Sequence, residues 1–74
     1  MKGFIEVTIT KNYPKKTLLR IDDIVAIYEH KEKVMIGKEE VIAETLIEGN
    51  IKLPDTIFRC LDTYEEIKKK IEEA

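Results

Sequence analysis

The sequence predicts an α+β domain: a small, curled antiparallel β-sheet of four or five strands, partly barrel-like, with one C-terminal α-helix packed across it. Three observations carry that expectation. Phe4-Ile5-Glu6-Val7-Thr8-Ile9-Thr10 alternates and is rich in β-branched side chains, which crowd a helix but suit a pleated surface. Ile24-Val25-Ala26-Ile27-Tyr28 is a continuous apolar run of strand length. Thr63-Tyr64-Glu65-Glu66 is a capping box, in which Thr63 accepts from the Glu66 amide while Glu66 reaches back to the Thr63 amide.

In chain order, the first strand places Ile5, Val7 and Ile9 on one face and Glu6, Thr8 and Thr10 on the other. Pro14 and its polar neighbours from Lys11 to Lys16 mark a turn, and Thr17 to Ile21 resumes as a strand, making an antiparallel hairpin. Asp22-Asp23 interrupts, because both side chains accept bonds from nearby amides in turns. Ile24 to Tyr28 is the third strand, His30-Lys31-Glu32-Lys33 a solvated connection, and Val34-Met35-Ile36 a short apolar patch ended by Gly37.

Residues 38–50 fit two patterns. As a helix they align Val41, Ile42, Thr45 and Leu46, with Gly49 as the C-terminal cap, and periodicity alone leans this way. As a strand they align Val41, Ala43, Thr45 and Ile47, and Gly49-Asn50 turns the chain into Ile51-Lys52-Leu53. Pro54-Asp55 marks another turn, and Thr56 to Leu61 reads as the last strand. The closing helix runs to about Glu73 with Tyr64, Ile67 and Ile71 on one stripe and Glu65–Lys69 and Glu66–Lys70 at ion-pair spacing. About ten helical residues fit this arrangement, and twice that number would restore a second helix.

The chain of 74 residues, 1–74, is read as a single domain. One this short buries only roughly 60–65% of its unfolded surface, so its stability margin is thin. With one cysteine there is no disulfide to reinforce it, and self-association is the expected compensation. A second apolar set supports this: Phe4, Leu18 and Tyr28 fall on faces opposite Ile5, Leu19 and Ile27. Burying side chains of this size is worth roughly 1.5–3 kcal/mol each, so either the sheet curls over them or another subunit covers them. Thirteen Lys+Arg against fifteen Asp+Glu give a net charge of -2, which removes the usual electrostatic basis for coating nucleic acid. An acid at position 6 where a signal peptide needs apolar residues, the absence of a long apolar run and the free cysteine together point to the cytoplasm and away from the membrane.

Little in the chain suggests bond-making chemistry. His30 is the only side chain titrating near neutrality by its ordinary pKa, but it lies in a charged segment. Cys60 lies in a strand pattern whose alternation turns Arg59 to the other face, so it reads as a small buried hydrophobe. The acid pairs 22–23, 39–40, 65–66 and 72–73 are adjacent residues that diverge, and turns, capping and solvated faces account for them. Gly3, Gly37 and Gly49 are too scattered for a phosphate cradle. No residue is accordingly assigned a catalytic, cofactor-binding or metal-binding role. The one patch of interest is Tyr13 with Lys15, Lys16 and Arg20, beside Lys11, where cations flank an aromatic as in sites that grip phosphate and stack a base.

The opening Phe4-Ile5-Glu6-Val7-Thr8, the stretch from Leu19 to Ile27 and the closing Cys60-Leu61-Asp62-Thr63-Tyr64-Glu65-Glu66-Ile67 together resemble a broad group of small bacterial, phage and prophage proteins. They also look like FlbD/SwrD-type flagellar-associated proteins. The resemblance covers about the first third and last fifth of the chain, while residues 31–55 depart from it. It implies an N-terminal sheet and a short C-terminal helix opened by a Ser- or Thr-led cap, and it favours the strand for residues 38–50. No functional residue transfers with it. The expected function is a non-enzymatic interaction or accessory protein, phage- or mobile-element-like, acting through a sheet edge or subunit interface on a protein partner or itself. The alternative is a nucleic-acid-binding module using Tyr13, Lys15, Lys16 and Arg20.

Overall fold

A computed structural model describes residues 2–11, 13–53 and 56–74. Its strands are β1 (Phe4–Ile9), β2 (Lys15–Arg20), β3 (Ile24–Ile36), β4 (Glu39–Gly49) and β5 (Ile57–Cys60), and its helix is α1 (Tyr64–Glu73). A single 3-10 turn, Ile21–Asp23, fills the interruption marked by the two aspartates. The strands form one antiparallel sheet in the order β2-β1-β5-β4-β3, curled but not closed, with α1 the one α-helix among the described residues. The expected α+β class and the strand for residues 38–50 are what the chain adopts.

The alternation in β1 does what its period dictates. Ile5, Val7 and Ile9 are buried, and Ile5 pairs across with Leu19 of β2. The core joins these four to Ile47 of β4, Cys60 of β5 and Ile67 of α1, so each of these five elements contributes at least one fully apolar anchor. Ile71 packs against this cluster from the next turn of the helix, as the stripe requires. The capping box forms with both reciprocal bonds, Glu66 N–H to Thr63 Oγ1 at 3.2 Å and Thr63 N–H to Glu66 Oε1 at 3.1 Å.

The middle of the chain departs from expectation in two places. His30 to Lys33 is no connection: these residues continue β3, which runs unbroken for 13 residues. The strand is irregular there, with register shifts between Glu29 and Glu32 and between Ile24 and Ala26, which lets an exposed edge strand carry charged residues without breaking. The hairpin turn lies instead at Gly37-Lys38, between paired Ile36 and Glu39, where Gly37 holds a φ of 64° that a side chain disfavours. Gly49-Asn50 therefore does not lead into a return strand at Ile51. Gly49 ends β4, and the strand that pairs back against it, β5, starts only at Ile57. The turn expected at Pro54-Asp55 lies outside the described residues.

The Glu66–Lys70 ion pair expected along the helix gives way to other partners. Glu66 is committed to the cap, and Lys70 reaches Asp62 Oδ2 at 3.3 Å and the backbone carbonyl of Glu6. Asp62 is thereby the hub of the fold. Its Oδ1 accepts from Thr8 N–H at 2.7 Å, and its backbone carbonyl accepts from the hydroxyl of fully buried Thr45 at 2.7 Å. One residue so ties β1, β4 and α1 together.

Candidate functional site

The patch read from the sequence is divided by the geometry of the β1–β2 hairpin. Tyr13 is 58% exposed, and the Lys15 ammonium sits 5.1 Å above its ring centroid, a cation–π contact. Lys15 pairs with Ile9 and Lys16 with Thr8 at one end of the hairpin, while Arg20 pairs with Phe4 at the other. Four residues of strand, about 13 Å, separate Lys16 from Arg20. The structure therefore brings Tyr13 and Lys15 together, keeps Lys16 beside them on the opposite face, and places Arg20 elsewhere.

The residues weighed for chemistry are also placed. Cys60 is fully buried, and burial pushes its thiol up to about 12, with the Asp62 carboxylate adding to the effect and Lys70 opposing it. Its Sγ lies 3.8 Å from the Phe58 carbonyl. A thiol so protonated is no nucleophile at neutral pH. His30 is exposed, its Nε2 3.8 Å from Glu32 Oε2, and Glu32 in turn takes a 2.7 Å bond from Arg59 Nε. Among the described residues no three His, Cys, Asp or Glu side chains gather as metal ligands would.

What the alternation places outward forms a more coherent surface. On the face opposite the core, Tyr28 of β3 lies across from Leu46 of β4, and Leu46 across from Arg59 of β5. The next row sets Ala26, Glu48 and Ile57 side by side. The Tyr28 hydroxyl donates to Glu48 Oε1 at 3.0 Å, and this charged acceptor raises the phenol's pKa, since ionisation would lose the bond and set two negative charges together. Val25, carried outward at a register shift, is 64% exposed, and Ile51 in the following loop is 88% exposed. Both border a shallow cleft of 430 Å³ beside Glu48. The core-facing side is covered by Ile67 and Ile71, so α1 does not shield this outer face.

Two further clefts open elsewhere. One of 540 Å³ lies between the far half of β3, at Glu32 and Val34, and the β1–β5 junction, at Thr10 and Phe58, with the Arg59–Glu32 ion pair in its wall. The other, of 350 Å³, opens between β1, β2 and the end of β4 and is mainly apolar. The sequence reading missed both Asp62 and the second cleft, because each is assembled from residues distant in the chain. No helix among the described residues is long and apolar enough to cross a membrane. Compared with protein-family models, curated proteins and solved structures, the chain matches none.

Proposed function

We propose that this chain is a non-enzymatic interaction module whose working surface is the outer face of its sheet, and that its first partner is a second copy of itself. The observation that supports this is the set formed by Val25, Tyr28 and Ile57, large side chains between 43% and 64% exposed on a sheet face that α1 leaves bare. A small domain gains most by covering such a set, since each side chain is worth roughly 1.5–3 kcal/mol when fully buried. The Tyr28–Glu48 bond favours the same reading, because a carboxylate already hydrogen-bonded enters an interface at lower cost. A two-fold pairing would use the same patch on both copies. This role is also compatible with the small bacterial, phage and prophage proteins that the chain's two ends resemble.

Light scattering across a concentration series tests it. The native chain is expected to be a dimer at high micromolar concentration with a melting temperature that rises with concentration, and the Tyr28→Lys/Ile57→Lys variant a folded monomer whose melting temperature does not. A native chain that stays monomeric at that concentration contradicts the reading.

A second reading, nucleic-acid binding, draws on the Lys15–Tyr13 contact, which leaves one ring face of an exposed tyrosine open beside a cation. It requires binding of a short single-stranded RNA or DNA that weakens steeply with salt and is lost in Lys15→Glu/Lys16→Glu. Undetectable binding at low salt removes it.

A further inference from the structure

We infer that the 350 Å³ cleft between β1, β2 and the end of β4 binds a small apolar α-amino acid. Phe4, Leu19, Ile24, Leu53 and Phe58 are half of its lining, drawn from β1, β2, β3, β5 and the loop after β4. Its volume is at the small end of the ~300–1,000 Å³ range of ligand pockets.

Gly49 helps to shape it. A Cβ there would meet Leu53 Cδ1 at 2.9 Å and Phe58 Cε2 at 3.1 Å, so the missing side chain is what lets these two wall residues stand where they do. The cleft is thus built by a specific close packing rather than left over at a sheet end.

The charged residues of the wall indicate the ligand class. There are two, Arg20 and Asp23, of opposite sign. Arg20 is exposed and Asp23 half-buried, and neither side chain has an ion-pair or hydrogen-bond partner among the described residues. A plain carboxylate would satisfy Arg20 and face repulsion from Asp23, and a plain amine would do the reverse. A zwitterion with an apolar side chain answers all three features: its carboxylate to Arg20, its ammonium to Asp23 and its side chain to the apolar wall. The site is independent of the outer-face association surface, since neither Tyr28 nor Ile57 lines it.

Amide NMR titration of the full chain with L-leucine, L-phenylalanine, N-acetyl-leucine and leucinamide tests this. Leucine or phenylalanine is expected to give saturable shifts at Phe4, Ile24, Gly49 and Phe58. Each blocked leucine, lacking one charge, should bind about tenfold or more weakly. Arg20→Gln should bind leucine and leucinamide alike, and Asp23→Asn should bind leucine and N-acetyl-leucine alike, a loss of discrimination that general loosening of the fold does not produce. Absence of saturable shifts with both amino acids at millimolar concentration overturns the assignment, as does binding undiminished by blocking either charge.

Discussion

Cys60 and Asp62 stand two positions apart and illustrate what a single residue's surroundings decide. The Cys60 thiol, ordinarily near 9.0 and here pushed up to about 12, keeps its proton in the folded chain. The sign follows directly: the unfolded thiol ionises first, so this contribution to stability is complete below about pH 9 and is lost as pH rises toward 12. We expect native protein to resist thiol reagents at about pH 8 and to react only on opening. Urea midpoints of the native chain and Cys60→Ala should converge above pH 9, and rapid labelling of the folded protein would contradict the burial. Thr45→Val leaves the Asp62 carbonyl without its buried donor and should cost about 1–3 kcal/mol by urea unfolding. Burial of Cys60 was legible from its place in a strand pattern. The role of Asp62 was not, because its partners at positions 8, 45 and 70 are brought close only by the complete fold.

Among the elements, α1 and β1 were the most legible, since each carries a local signal that tertiary packing reinforces: a reciprocal cap in one, strict alternation in the other. Thr63→Ala should cost about 1 kcal/mol and show as lower helical content and a lower melting temperature. Glu66 reports on the same cap. Its hydrogen bonds from Thr63 hold its carboxyl below the ordinary value, so the cap's contribution is present above the usual carboxylate range and fades as pH falls through the lowered value. An acid titration in which Glu66→Gln loses part of the native chain's pH dependence checks this. β3 was legible only in its first half. Its central residues, Glu29 to Lys33, are charged because it is an edge strand, and the polarity that protects an edge is the same pattern that marks a loop. Gly49 misled in a related way: it suits a turn or cap, yet here it is a strand residue whose missing side chain admits Leu53 and Phe58. Gly49→Ala should therefore destabilise by roughly 1–3 kcal/mol, measured by urea unfolding, and an unchanged midpoint would refute that packing.

At the scale of the whole molecule, the two hairpins are held together by a short junction. β1 meets β5 through one register pair, Ile9 with Cys60, flanked by Thr10 N–H to the Arg59 carbonyl and Leu61 N–H to the Thr8 carbonyl. The burial of Ile67 of α1 in the shared core reinforces that junction, so Ile67→Ala should cost about 2–5 kcal/mol and uncouple the halves together. The sheet thus uses α1 to cover one face, and the other face retains Val25, Tyr28 and Ile57 in contact with water. The second apolar set was foreseen at Phe4, Leu18 and Tyr28, but its arrangement in cross-strand rows depends on register, which the amino-acid order does not reveal for a strand with two irregularities. The most direct measurement of the central claim is an amide NMR dilution series of the native chain from millimolar to low micromolar concentration. The account predicts concentration-dependent shifts confined to Val25–Tyr28, Leu46–Glu48 and Ile57, with tumbling slower than a monomer's at the high end. Spectra unchanged throughout, with monomeric tumbling at every concentration, would contradict it.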